Sequence, residues 1–458
     1  MRTDTQRAAK YDAKTIPASV AAIVAAVLPA MRLNFRDPFG SQDMVEKEQQ
    51  TQGLLNAAGT PTIQFPLYLD FIRLIWRISH AGIAGPALAT IAAGIMKSWQ
   101  ARGLSLSTLQ TLALNTANTW PPAPAITTAA GSEYPCINTT NKKLYTVNRT
   151  ANSVSIIDMA TGTLITTVAV GTNPARSCYN PTDNKVYVTN QGSNNVTILN
   201  GSTNAVIATV ATGSQPTAVC FNVTNDKVYI ADSADDTVTI LNGATNAVLA
   251  TVAVGDSPVD MTHNANNNKV YVVNGFGNSV SILNGATNVV DATVAVGFDP
   301  GFVVYYQTAN KAYISNAGSG TVSILDGATN AVLASPAVGV APVNMASNQT
   351  DNKIYVANLV GNSVSIINGT TNAVIATVAT AAGPMHVCHN STDDKIYVSS
   401  PGADRVTILL GTTNAVLATV AVGNQPDVPI WEPVTDKVFV PNYLDGTISI
   451  IDGKYNRL

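Results

Sequence analysis

Groups able to hold a metal or act on a substrate are scarce in this chain. Its 458 residues include four histidines, His80, His263, His386 and His389, and four cysteines, Cys136, Cys178, Cys220 and Cys388. His386-Val387-Cys388-His389 has the residue types of a soft-metal site. On a strand, however, alternation sends His386 and Cys388 to one face and His389 to the other. The run Asp232 to Asp236, DSADD, supplies carboxylates for calcium but lacks the loop spacing and closing glutamate of an EF-hand, so a solvated turn is expected. No GxSxG, HExxH, phosphate-binding loop or paired-cysteine ligand spacing occurs. The expectation is a chain with no catalytic residues, no metal and no cofactor.

What positions these residues is a repeat. Tyr187 recurs as Tyr145, Tyr229, Tyr271, Tyr313, Tyr355, Tyr397 and finally Phe439, always 42 residues apart. Within one copy, β-branched residues alternate over four short runs: Thr217 to Val223, Lys227 to Ala231, Thr237 to Leu241 and Val248 to Val254. Between the third and fourth runs, Asn242 to Asn246 supplies residues that tolerate positive φ in a hairpin. Four antiparallel strands at a period near 40 predict an all-β propeller blade. Eight first, second and third strands are present from Glu133 onward, but only seven fourth strands. Stepping back one period from Leu164 to Thr172 lands on residues 122–130, PAPAITTAA, as the donor of the missing strand. Its prolines fit an outer edge, where an absent N–H does no harm. An eight-bladed propeller closed by its own N-terminal strand is therefore expected over 121–458.

The first strand of each blade lies innermost, so the repeat position two residues after the recurring proline should ring one mouth of the central channel. That series is Tyr134, Arg176, Ala218, Asp260, Phe302, Asn344, His386 and Val428, which no single packing role explains. Arg176, Asp260, Asn344 and His386 are the candidate ligand-binding residues. The competing reading is free drift of repeats near solvent.

Lys185 to Asn190 spells KVYVTN, and the chain here resembles the YVTN β-propeller repeat family of microbial surface and secreted proteins. Related copies are KVYIAD (227–232), KVYVVN (269–274), KAYISN (311–316), KIYVAN (353–358) and KIYVSS (395–400). The resemblance implies a propeller over roughly 125–458 and brings no catalytic residues with it. Propellers of that kind are often seven-bladed, and the eight blades counted here depart from them.

The four cysteines share one repeat position with Thr262, Val304, Ala346 and Ile430, so small buried free thiols are expected. His263 and His389 share another with Ile137, Tyr179, Phe221, Tyr305, Ser347 and Trp431, a mostly aromatic packing slot. Eight repeated lysines, Lys143 through Lys437, are expected as exposed residues flanking turns. The sequons at Asn195 and Asn222 follow from an Asn- and Thr-rich repeat. Charged residues are 12% of the chain, about half the usual share. Residues 1–120 carry 11 basic and 7 acidic groups, and the remainder 14 and 21. Neither balance has the clustered basic stripe of a nucleic-acid binder.

Residues 1–120 are expected to form an α-helical domain of about five helices, including the apolar runs 16–31 and 78–96. The first run is short for a membrane span and the second is interrupted by Gly82, Gly85 and Pro86, so a helical bundle with more apolar surface than it can hide is expected. The favoured function is a non-enzymatic structural or recognition protein. Its N-terminal domain would dock into a larger assembly, such as a capsid or surface lattice or a self-oligomer, and the propeller would be displayed with a possible glycan or receptor on it. That places it on a virion or cell surface. A membrane-associated propeller anchored by its apolar helices and a lactonase-type propeller enzyme are the alternatives.

Overall fold

The computed structural model describes residues 124–453. The expected helical domain at 1–120 and the linker that follows it lie outside the described residues, as do 454–458. No helix among the described residues is long and apolar enough to cross a membrane.

The described chain forms eight four-stranded antiparallel sheets. In blade 2 the strands are Pro174–Asn180, Lys185–Asn190, Asn195–Asn200 and Val206–Ala211, hydrogen-bonded in chain order. The other blades follow the same plan: blade 1 spans 132–169, and blades 3 to 7 span 216–253, 258–295, 300–334, 342–379 and 386–421. First strands of successive blades pack on one another around the whole circle, and blade 8 packs against blade 1. The first strands therefore line the channel.

Blade 8 closes the ring. Its strands Ile430–Glu432, Lys437–Asn442 and Thr447–Asp452 are completed by Ala125–Thr127, with Ala125 opposite Ser449 and Thr127 opposite Thr447. Ile450 N–H donates to the Pro124 carbonyl and Thr128 N–H to the Gly446 carbonyl, each at 2.8 Å. The closing strand is shorter than the 122–130 span expected. Beyond Thr128 the backbone leaves the ladder and turns through Gly131, φ +81°, into the first strand of blade 1.

Burial explains the sequence pattern of each strand. Second strands such as Lys185–Asn190 are buried from their second residue onward, because both faces of each sheet are covered by neighbouring blades. Outer strands such as Val206–Ala211 alternate between exposed and half-buried residues. The turn before each outer strand holds an asparagine at positive φ, for example Asn204 at 65° and Asn246 at 63°. Blade 1 has Gly162 there at 68°, the residue that pays no Cβ penalty in this region.

The repeated lysines are not exposed flanking residues; they clamp one blade to the next. Lys143 Nζ donates to the carbonyls of Gly201 and Ser202 at 2.9 and 2.8 Å and to Asn204 Oδ1 at 2.8 Å. All three acceptors belong to the hairpin of blade 2. The buried Tyr145 hydroxyl donates to the same Gly201 carbonyl at 3.1 Å. The three ammonium donors can each find a protein acceptor in this position, and Lys395 is accordingly 1% exposed. Lys437 completes the circle by donating to the Ala160 carbonyl of blade 1 at 3.3 Å.

One other expectation changes. Asp232 is buried, not solvated: it accepts from Thr239 N and Oγ1 at 3.1 and 2.7 Å, and burial raises its pKa to about 6. Asp235 and Asp236 remain exposed and accept from Ser214 N–H and Ser257 N–H. The sequon residue Asn222 is buried, with its amide donating to Asn268 Oδ1 at 2.8 Å, so a glycan has no access there.

Candidate functional site

The mouth of the channel is built from first-strand residues that a repeat would leave free to vary. Register shifts at the start of these strands, as between Pro174 and Arg176 and between Pro258 and Asp260, turn the following side chains toward the axis. In blade 1 the irregularity runs from Glu133 to Cys136, and Tyr134 adopts φ +37°. A bulky residue with such a backbone is strained and needs surrounding contacts to hold it.

Those contacts cross the channel. The Arg176 guanidinium of blade 2 pairs with the Asp260 carboxylate of blade 4. Its central carbon lies 4.7 Å from the Tyr134 ring centre and 5.7 Å from that of Phe302, so an aromatic from blade 1 and one from blade 5 flank the same cation. His386 of blade 7 completes the group edge-on, with its ring 5.7 Å from Tyr134 and 6.1 Å from Phe302. Five of the eight ring positions thus meet in one cluster. Three of the four candidate residues, Arg176, Asp260 and His386, belong to it.

Asn344 does not. Its Oδ1 accepts from Val387 N–H of the next blade at 3.1 Å, as Asp260 Oδ2 accepts from Val303 N–H at 3.0 Å. The position therefore has a structural use, bridging neighbouring first strands, which Asp260 combines with its ion pair. Tyr134 and Phe302 stand in the same series but were not among the candidates. Glu133 and Asp427, one residue earlier in the repeat, were missed altogether. Their repeat position also holds Ala175, Thr217, Val259, Gly301, Val343 and Met385, so two carboxylates among small and apolar residues were a legible signal.

Electrostatics tie these carboxylates to the cluster. Glu133 Oε1 accepts from Arg149 Nε at 2.6 Å, yet burial outweighs that cation and pushes its pKa up to about 7. Asp427 lies 3.6 Å from His386 Nε2 and accepts from Tyr134 N–H at 3.2 Å and Val428 N–H at 2.7 Å. Burial would raise its pKa, but His386 and these N–H groups outweigh it and hold it below the ordinary range. Burial likewise works against the Arg176 charge, and Asp260 overrides it. Tyr134 is pushed up to about 12 by burial, so its hydroxyl stays protonated.

The His386 to His389 run separates as strand alternation requires: His386 enters the cluster, whereas His389 Nε2 lies 3.4 Å from Asp394 Oδ1. No group of three or more His, Cys, Asp or Glu side chains is placed to share an ion among the described residues. All four cysteines are free, and burial pushes the Cys136 and Cys388 thiols up to about 12 and Cys178 to about 11. Thiols so protonated are poor nucleophiles.

Among solved structures, yeast (Saccharomyces cerevisiae) Sqt1 is similar with a TM-score of 0.65 at 9% identity, over 72% of this chain and 99% of that one. The likeness is one of fold. Dihydro-heme d1 dehydrogenase NirN, in complex with DHE, is similar with a TM-score of 0.57 at 11% identity, over 78% and 88%. Kuenenia stuttgartiensis hydrazine synthase gives 0.53 at 16%, over 71% and 96%. These neighbours differ in activity, so the shared propeller carries no function across. No family model and no curated protein matches the chain.

Proposed function

We propose that this chain is a non-enzymatic recognition platform, a YVTN-type propeller displayed by an N-terminal segment that docks into a larger protein assembly at a virion or cell surface. The observation that carries this reading is the Arg176–Asp260 ion pair at the channel mouth. Arg176 is held by Asp260 and flanked by Tyr134 and Phe302, so the cation and carboxylate best suited to a ligand are occupied with one another. A pocket built for catalysis would aim such groups at a vacant centre. Here the inter-blade clamps and the Arg176 cluster together give rigidity, which suits display.

The N-terminal 120 residues are the docking element in this reading. Their apolar runs, PASVAAIVAAVLPAM (17–31) among them, exceed what a bundle of that length can hide. The propeller then offers its faces to a glycan or receptor. The test compares full-length chain with chain lacking residues 1–120 in co-sedimentation with the native particle or surface layer. Full-length chain should sediment with it and truncated chain should stay in solution with its β-sheet circular dichroism intact. Equal incorporation of both, or turnover of a small molecule that Arg176→Met abolishes, would refute the reading.

A further inference from the structure

The loops at the channel-mouth end of the ring follow the repeat in most blades and depart from it in one sector. In blades 4 to 6 they carry Phe276, Phe298, Val340 and Val360, which are 77%, 65%, 61% and 64% exposed. Other blades place Thr150, Gly192, Ala234 and Gly402 in register with Phe276, and Thr172, Ser214, Ala382 and Asn424 in register with Phe298. Leu444 of blade 8 is a further exposed apolar loop residue, but it stands apart from this sector.

The four residues lie along one arc of the ring, on loops that are tied in sequence. Gly277 N–H donates to the Asp256 carbonyl at 3.1 Å, Asp299 N–H to Asn278 Oδ1 at 2.9 Å, and Phe298 N–H to Ser319 Oγ at 2.6 Å. Val338 N–H donates to the Gly320 carbonyl at 2.9 Å, and Gly361 N–H to the Val340 carbonyl at 3.2 Å. Phe298 lies directly over Gly318, where a Cβ would meet its ring at 2.3 Å. Its exposed face is therefore held in place, as an anchor residue requires.

Charge names the kind of partner. The loops of this sector and of adjoining blade 3 expose Asp235, Asp236, Asp256 and Asp299, and the seven loops from 233–236 to 359–362 contain no lysine or arginine. The occupant should be apolar and basic. Residues 1–120 of this chain are both, with 11 basic and 7 acidic groups, and from 71 to 120 they hold Arg73, Arg77, Lys97 and Arg102 without one acidic residue. The chain enters the ring at Pro124 on blade 8, at the end of that sheet away from these loops, and blade 8 is four blades from blade 4.

From this we infer that the arc Phe276, Phe298, Val340 and Val360 receives the basic, apolar N-terminal segment of a second copy. Resting on the assembly reading above, the inference makes that assembly a head-to-tail one, in which each ring takes the segment of its neighbour. Such a contact is heterologous and builds rings or filaments of copies, not closed twofold dimers.

The test uses full-length chain and the variant Phe276→Ser/Phe298→Ser/Val360→Ser, whose substituted side chains are mostly exposed, so its melting temperature should match the parent. Analytical ultracentrifugation should show a parent that self-associates, more weakly as salt is raised, and a variant weakened by at least about tenfold. In mixtures of ¹⁴N and ¹⁵N protein, a zero-length carbodiimide cross-linker should join Asp256 or Asp299 of one copy to Lys10, Lys14, Lys47 or Lys97 of the other. A monomeric parent, unchanged association in the variant, or links confined to one copy would each overturn the inference. A monomer that still enters the native particle through residues 1–120 would leave the platform reading standing and remove only this contact.

Discussion

Replacing Arg176 by methionine separates a plug from a ligand site. Methionine keeps an unbranched apolar stem between the Tyr134 and Phe302 rings but removes the charge facing Asp260, whose side chain is 9% exposed. Leaving one partner of a buried pair uncompensated costs about 3–5 kcal/mol. Unfolding entropy of about 2.1 cal/mol/K per residue, over the 330 residues from 124 to 453, amounts to about 0.7 kcal/mol/K. The variant should therefore melt about 4–7 °C lower.

The complementary change, Asp260→Asn, retains an acceptor for Val303 N–H and leaves Arg176 at 21% side-chain exposure with Asp427 also raising its pKa. It should cost only about 1–2 kcal/mol. In the double variant no buried charge is stranded, so its loss should fall short of the sum by about 2 kcal/mol, or about 3 °C. Differential scanning calorimetry of the four proteins measures this directly. Additivity within about 0.5 kcal/mol would mean that the two groups do not hold each other, and the plug argument would fail.

Three further outcomes follow from the same geometry. Glu133, with an ordinary pKa of 4.5 raised to about 7 by burial, binds its proton more tightly folded than unfolded, so stability should decline as pH rises from about 4.5 to about 7 and then level off. Glu133→Gln should flatten that portion of a melting-temperature profile, and an unchanged slope would reject the assignment. Ile126→Asp places a charge in the buried cluster of Phe439, Ile448 and Leu144; loss of the closing strand should lower the melting temperature by several degrees and raise hydrogen exchange at Thr447–Asp452, whereas protection equal to the parent would exclude closure there. Lys395→Met strands the Gly453 carbonyl that Lys395 Nζ reaches at 2.5 Å, at a cost of about 1–3 kcal/mol, while Lys142→Met, lying outside the repeated position, should be neutral; equal effects of the two in urea unfolding would contradict the clamp.

The propeller was legible because its physics repeats. A tyrosine every 42 residues, hairpin asparagines and one absent outer strand define blade, count and closure without reference to tertiary contacts. The lysines were misjudged because a residue beside a turn looks exposed when only its own blade is considered; its acceptors lie 58 to 61 residues away on the next blade. The same blindness affected the channel. Variation at the ring position marked Arg176, Asp260 and His386 correctly as neighbours of one axis, but not that Tyr134 and Phe302 would fill the space between them. Pairing across a ring depends on side-chain length and on bulges that a period cannot display.

The departures from the repeat fall into two kinds, and the difference bears on function. At the channel mouth, unlike residues from several blades meet, with Arg176 of blade 2 paired to Asp260 of blade 4, so their divergence stabilises the centre. In the loops of blades 4 to 6 divergence does the reverse: Phe276 and Phe298 replace small or polar residues and remain most of the way out of the core. Nothing in folding requires that exposure, since Gly192 and Ser214 occupy the equivalent positions of blades 2 and 3 in the same backbone. Ala125–Thr127, paired with Ser449, Ile448 and Thr447, is the part of the ring that directly continues the chain from its N-terminal side. In the platform reading proposed above, the strand that seals the ring would also be the one that tethers it.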